Sequence, residues 1–418
     1  MKNKLLRGSL IFFAGSMVVN VIAFAYHFVL ARLLSPADYG ILAALFGLIY
    51  LTSIPLNAVD ILVTKLISGF EEHKMVLYTK SLLVYLVQKI GPLYGILFPI
   101  LIIISWPVQV FLKLPSVWSV IFIWFFVYLF IITAVLRPVM KALLRFNDLI
   151  LSQTIEGVLR LLFSIGLIII FGSWYGWGIF GLIFTAIICL LFAIYQVRDV
   201  LWCKPVRFDY HKLNIKLLGL GSLILSISFT LMYSIDVLLV KHFFSDYWTG
   251  IYAVLVTAGK VVFFAQTPIS TATLPIVARK ANQPQSARKD LWTLLGLSSG
   301  IGISIILVYF FGSPLLVNLI FSEKYVSAVP LIPWMGMAIL GYSYANIGAN
   351  FLLALNKVKT TWISLIGLGV EAIAILLFHE SLSQVVLSLG IVFAILATVL
   401  ISYSFYVTRK TFNNSTSL

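Results

Sequence analysis

The sequence predicts an all-α polytopic membrane protein. About twelve transmembrane helices form two parallel six-helix repeats, folded as two lobes around a central cavity. Three observations carry that prediction. Of 418 residues, 61% are hydrophobic and only 10% charged, with a mean hydropathy of +1.07. A soluble domain carries about 25% charged residues, so surfaces of this size would be left uncovered in water. The apolar residues fall into runs of about 20, the length that spans a bilayer. The two halves of the chain also resemble each other at a fixed offset. Soluble enzymes, disordered chains and disulfide scaffolds are thereby excluded.

Taken in order, the expected spans are 9–31, 40–64, 88–110, 117–137, 149–171, 176–196, 215–240, 248–269, 291–312, 330–354, 359–378 and 384–406. The first follows Lys2, Lys4 and Arg7 and is too long for a signal-peptide core, despite the small-x-small triplet Ala23-Phe24-Ala25. The third carries Pro92, Pro99 and Pro107. Before it, the charged and apolar stretch Glu72–Leu86 is expected to lie along the interface. Pro55, Pro99, Pro138, Pro268 and Pro333 mark places where helices bend readily. The turn Ser173-Trp174-Tyr175-Gly176 supplies aromatic interface anchors. Cys189 and Cys203 have neither ligand nor redox spacing and read as ordinary thiols.

With 29 Lys+Arg against 14 Asp+Glu the net charge is +15. On twelve spans, 23 basic residues fall on one side, 4 on the other (Arg32, Lys113, Lys241, Lys324), and Arg160 and Lys260 lie inside spans. Basic residues collect on the cytoplasmic side, so both termini are expected there.

Residues 29–45 and 239–255 align at an offset of 210: Ser35 meets Ser245, Gly40 meets Gly250, Ile41 meets Ile251, Ala43 meets Ala253 and Leu45 meets Leu255. The expected divisions are an N-terminal lobe over 1–200, a C-terminal lobe over 210–410 and a short cytoplasmic tail over 411–418. An even number of spans per half makes the repeats parallel, a layout suited to alternating access.

The stretch Ala31-Arg32-Leu33-Leu34-Ser35-Pro36-Ala37-Asp38-Tyr39-Gly40 resembles the end of the first helix in the polysaccharide (Wzx-type) flippases. These share a superfamily with the multidrug and toxin extruders and the lipid II flippases. Asp236–Lys241 followed by Gly250-Ile251-Tyr252-Ala253 is similar to that family's seventh-to-eighth junction, and Leu352–Lys357 to its tenth-to-eleventh. The likeness covers nearly the whole chain. It implies movement of undecaprenyl-diphosphate-linked oligosaccharide from the inner to the outer leaflet, for cell-surface or capsular polysaccharide. Membrane lipids would be partners, beside a polysaccharide polymerase and glycosyltransferases. Many relatives carry Asn in the eleventh helix where this chain has Glu371, which bears on the coupling ion or the sugar.

A glycan headgroup crossing hydrocarbon needs a polar, cationic slot, because each unpaired hydroxyl costs several kcal/mol. Ser9, Ser16, Asn20 and His27 share one face of the first span, and Ser222, Ser226, Tyr233 and Asp236 one face of the seventh. Gln153, Glu156, Arg160 and Ser164 line the fifth, and Thr257, Lys260 and Thr267 the eighth. Such hydroxyls also bond their own helix backbone. Lys260, roughly 18 Å into its span, is expected to hold the diphosphate or an acidic sugar. Arg160 is the second cation, either self-neutralised by Glu156 one turn away or released to a phosphate. The substrate-binding set is Lys260, Arg160, Asn20, Ser16, Gln153, Arg32 and Lys241. The ion-coupling or gating set is Glu371, Glu156, Asp236, Asp60 and His27. For Glu371 the alternatives are proton coupling and a salt bridge to Lys260 or Arg160. Arg32 and Lys241 read as interface anchors or an outer landing for phosphate. Neither a metal nor a cofactor is expected.

Three other readings fit this architecture less well. A multidrug extruder with cationic substrates would want an acidic lumen. A membrane polymerase or glycosyltransferase, the enzyme alternative, would want a large acidic outer loop. A major facilitator would carry a Gly-x-x-x-Asp-Arg-type loop where this chain reads Ser68-Gly69-Phe70-Glu71-Glu72-His73-Lys74.

Overall fold

A computed structural model describes residues 2–68, 75–202, 220–278, 284–355 and 357–415, and all regular structure among them is helical. The side chains of Ser9 and Ser222 lie outside the described residues. Eleven stretches among the described residues are long and apolar enough to cross a bilayer, and the remaining expected span, 359–378, is a 17-residue helix, Thr361–Leu377. The chain is a multi-pass membrane protein. It divides into two compact units, Met1–Leu218 and Gly219–Leu418.

The first unit holds α1 (Lys2–Leu33), α2 (Pro36–Ser68), α3 (Met75–Phe111), α4 (Val117–Ala142), α5 (Phe146–Phe171), α6 (Tyr175–Gln196) and the single turn α7 (Arg198–Leu201). The motif at the α1–α2 turn has a structural cause. Ser35 Oγ accepts from the Asp38 N–H at 3.1 Å and donates to Asp38 Oδ2 at 2.7 Å, while Pro36 takes the first helical position, where no N–H is needed. Helix α1 packs along α5, α5 along α6, α6 along α4, and α4 along α2. Two close approaches depend on missing side chains. A Cβ on Gly157 would stand 2.8 Å from Ile22, and one on Gly181 would stand 2.2 Å from Ser164 Oγ. At the α5–α6 turn Gly172 takes φ +96°, a conformation other residues rarely adopt.

Of the stretch Glu72–Leu86, residues 72–74 lie outside the described residues, and from Met75 on it forms the first turns of α3. Thr79, Leu82 and Leu83 are buried against Val63, Ile67, Val139 and Met140, and Lys80 Nζ donates to Leu201 O at 2.6 Å. Burial of this face in the bundle outweighs the charges on the other. The C-terminal half of α3 is the reverse, with Ile96, Ile103 and Trp106 exposed, a surface suited to lipid.

The second unit holds α8 (Leu220–Met232), α9 (Ile235–Phe243), α10 (Asp246–Ala278), α11 (Pro284–Leu316), α12 (Ile332–Ala354), α13 (Thr361–Leu377) and α14 (Leu382–Ser415). The seventh span, expected as one helix, is broken at Tyr233-Ser234. Ser234 has φ −136°, ψ −19°, and its hydroxyl donates to Thr230 O at 3.0 Å. A side-chain hydroxyl competing for backbone carbonyls can interrupt a helix without proline or glycine, a signal that hydropathy does not carry. Between α11 and α12 the chain passes through a π turn (Val317–Phe321) and a 3-10 segment (Glu323–Leu331), joined by Ser322 at φ 137°. Pro333 sits harmlessly in the first turn of α12. Helix α12 packs on α10, α11 and α14. Tyr342 Oη donates to Phe229 O at 2.8 Å, and Tyr309 Oη to Ala258 O at 2.7 Å, tying α12 to α8 and α11 to α10.

Candidate functional site

In the first unit the charged residues of the fifth span are set by neighbouring helices. Glu156 accepts from Arg137 of α4 at 2.6 Å, and Arg137 also donates to Ser152 Oγ at 3.2 Å. The Glu156–Arg160 pair expected from spacing is therefore replaced by one between helices. An i,i+4 pair contributes only about 0.2–0.5 kcal/mol, so a well-placed partner on another helix wins easily. Arg160 instead lays its guanidinium over the Tyr26 ring, 4.6 Å from the centroid. Tyr26 is buried, its Oη 3.3 Å from Ser164 Oγ, and Ser164 donates to Gly178 O at 3.4 Å. Arg160 Nε is buried with no hydrogen-bond partner among the described residues. Ser164 thus works at the α5–α6 contact rather than at a lumen.

The remaining first-unit candidates separate. His27 packs edge-on against Phe46, with centroids 5.2 Å apart, and against Tyr26. Asp60 pairs with Lys141 of α4 at 2.8 Å. Asn20 and Ser16 on α1 and Gln153 on α5 are half-buried, and Arg32 is exposed at the end of α1. At the opposite end of the unit, Arg145 donates through both guanidinium nitrogens to Asp199 of α7, one contact being 2.9 Å. This hydrogen bond holds the Asp199 carboxyl below its ordinary range and raises Arg145.

In the second unit the intramembrane charges converge. Asp236 stands just past the break at Tyr233-Ser234, is buried, and accepts from Tyr252 Oη at 2.7 Å; its Oδ1 has no hydrogen-bond partner among the described residues. Lys260 of α10 is half-buried with Nζ 4.0 Å from the Tyr233 ring centroid, and it acts electrostatically on Asp236. Glu371 of α13 is fully buried, in electrostatic reach of Asp236, Tyr252 and Tyr342. Neither of its oxygens has a hydrogen-bond partner among the described residues, so of the two alternatives for Glu371 the salt bridge to Lys260 is not seen. Thr257 and Thr267 donate to Ala253 O (2.7 Å) and Phe263 O (3.3 Å) of their own helix. Lys241 is buried and bonded to Asp246 at the α9–α10 turn.

Sequence reasoning set Tyr233 on the polar face of the seventh span but missed Tyr26 and Tyr252. Tyr26, Tyr233 and Tyr252 supply the ring faces and the hydroxyl that hold Arg160, Lys260 and Asp236. The repeat contained a signal. At the 210 offset Tyr26 is the counterpart of Asp236, and Arg160 falls one residue from the counterpart of Glu371. To within one residue the same two places, one on the first helix of each unit and one on the fifth, hold Tyr26 and Arg160 in one half and Asp236 and Glu371 in the other, while Lys260 falls at the counterpart of Tyr50. Tyr252 stands where the first half has Leu42.

No curated protein matches the chain. Among solved structures, it is similar to an inward-facing multidrug resistance MATE family transporter of the MOP superfamily. That match has a TM-score of 0.77 at 10% identity, covering 97% of this chain and 99% of that one. It is also similar to the lipid II flippase MurJ in an inward closed conformation, with a TM-score of 0.72 at 11% identity over 96% and 87% of the two chains. A third is a MOP superfamily transporter from Pyrococcus furiosus, described as having a binding pocket of reverse polarity, with a TM-score of 0.62 at 12% identity over 98% and 95%. These likenesses establish a shared fold. The family described as polysaccharide biosynthesis protein matches residues 29–330, which include the Ser35–Gly40 turn, Arg160 and the Asp236–Lys260 cluster; the chain belongs to that family.

Proposed function

We propose that the protein is a flippase, not an enzyme, that carries undecaprenyl-diphosphate-linked oligosaccharide from the inner to the outer leaflet of a bacterial plasma membrane by alternating access. Both termini are cytoplasmic in this reading, and the protein works beside a polymerase and glycosyltransferases. The observation that carries it is Arg160, a cation about 14 residues into α5 that rests on a tyrosine face and whose buried Nε has no hydrogen-bond partner among the described residues. A charge at that depth costs about 2.5–3.5 kcal/mol on insertion scales and marks a ligand path. A guanidinium with a spare donor suits a phosphate oxygen. Lys260 is the matching cation in the second unit. Asn20, Ser16 and Gln153 offer hydrogen bonds to sugar hydroxyls, and Arg32 marks the exit side. Asp236 and Glu371 couple an ion to the cycle, while Glu156, Asp60 and His27 gate it.

The test is reconstitution in liposomes holding a fluorescent lipid-linked oligosaccharide. Wild type moves it across the bilayer; Arg160→Gln and Lys260→Ala insert normally and lose at least ten-fold in rate. Undiminished transport by both variants would sink the assignment. The acids Asp236 and Glu371 favour a second reading, export of organic cations, and transport of a cationic dye in place of the lipid-linked glycan would select it.

A further inference from the structure

Three basic residues of the first unit, each already seen in an ion pair, form an ordered series. Arg137 and Lys141 stand one turn apart on α4, and Arg145 follows in the α4–α5 turn, where its N–H bonds Met140 O at 2.8 Å. Each meets a carboxylate from a different element: Glu156 of α5, Asp60 of α2 and Asp199 of α7. The cations share one rigid segment, whereas their partners come from three. The series runs from the end of the unit inward and stops at Glu156, one helical turn from Arg160.

We propose that Arg137, Lys141 and Arg145 are a phosphate ladder, a binding track that passes the diphosphate end of the lipid-linked substrate from the membrane surface toward Arg160, each rung exchanging its carboxylate for phosphate. This rests on the flippase reading. The alternative, three simple clamps, explains less. Lys141–Asp60 and Arg145–Asp199 are part-exposed, with side-chain exposures of 40%/34% and 29%/47%. Pairs of that kind hold a fold weakly. The same end of the bundle is already held by buried Leu136, Val139, Met140 and Val197. A diphosphate carries more charge than a carboxylate and offers paired oxygens to a guanidinium, so it displaces the acid at each rung. The acids hold the cations in register and keep binding weak enough for the group to move on.

The experiment measures binding to the full chain in nanodiscs of three probes: farnesyl diphosphate, inorganic pyrophosphate and farnesol. The ladder predicts that both diphosphates bind and farnesol does not; tighter binding of farnesyl diphosphate assigns the track to a lipid-borne group, and equal affinities assign it to the phosphates alone. Asp60→Asn frees Lys141 and tightens binding by up to about five-fold, the equivalent of one exposed ion pair. Lys141→Gln weakens it, and so does the double variant Asp60→Asn/Lys141→Gln, which keeps a neutral hydrogen-bonded clamp. Asp199→Asn, at the outermost rung, tightens binding as Asp60→Asn does and tests the same idea on a second pair. The proposal is overturned if neither acid-to-amide variant binds more tightly, or if the neutral double variant binds as wild type does. Absence of lipid-linked glycan transport by a wild type whose binding follows the expected pattern would instead refute the flippase reading.

Discussion

Glu371 should cost the protein stability, and replacing it should recover that stability at the expense of transport. The carboxylate is fully buried in α13, and both oxygens lack a hydrogen-bond partner among the described residues. A buried polar group left unsatisfied costs about 1–3 kcal/mol, so two oxygens destabilise by about 2–6 kcal/mol. Glu371→Met nearly conserves volume and introduces no cavity. At the low end of that range the gain is about 2 kcal/mol, and for a unit of this size each kcal/mol moves Tm by about 2–4 °C. A rise of about 4–8 °C is therefore expected. Thermal unfolding in nanodiscs, followed by tryptophan fluorescence, gives the shift, and the liposome assay gives transport from the same preparation. Stability should rise while ion-driven transport is lost. A lowered Tm would refute the reasoning, because it would mean that the carboxylate makes stabilising contacts in the folded protein.

Tyr252→Phe removes the hydroxyl that donates to Asp236 at 2.7 Å. In a double-mutant cycle with Asp236→Asn, unfolding in detergent should give a coupling of about 1.5–3 kcal/mol, and additivity within about 0.5 kcal/mol would deny the interaction. Gly181→Ala brings a Cβ to 2.2 Å from Ser164 Oγ and 2.7 Å from its backbone nitrogen. Forcing α5 and α6 apart should destabilise the first unit by about 1–3 kcal/mol in the same measurement, whereas Gly166→Ala, with open space at the same distance, should not. The Arg145 hydrogen bond depresses Asp199, so its contribution is fully present above about pH 4 and is lost as pH falls through the depressed folded value. Because the pair is part-exposed, Asp199→Asn should lower stability by less than about 1 kcal/mol near neutrality. The two proteins should converge in acid, and a constant difference across pH would contradict the ion pair.

Much of the architecture was legible in the sequence, because a membrane span is a local property. About 20 apolar residues in a row must lie in hydrocarbon whatever their neighbours do. The same patterning exposed the repeat, the charge asymmetry and the two cations, Arg160 and Lys260, that lie inside spans. The stretch Ser35–Asp38 stood out only through the repeat and the family resemblance, and its capping chemistry emerged with the structure, although a capping serine, a proline and an acid three residues on are local signals. Tertiary structure alone decided what each charge meets. Glu156 was four residues from Arg160 in the sequence, yet it went to Arg137; Asp60 went to Lys141, and Lys241 was buried against Asp246. The break before Asp236 and the burial of Glu371 were likewise invisible to hydropathy. The physical reason is range. Hydrophobic length is summed along one helix, whereas a charge pairs within about 4 Å, and which side chains come that close depends on how helices pack, down to the missing Cβ atoms of Gly157 and Gly181.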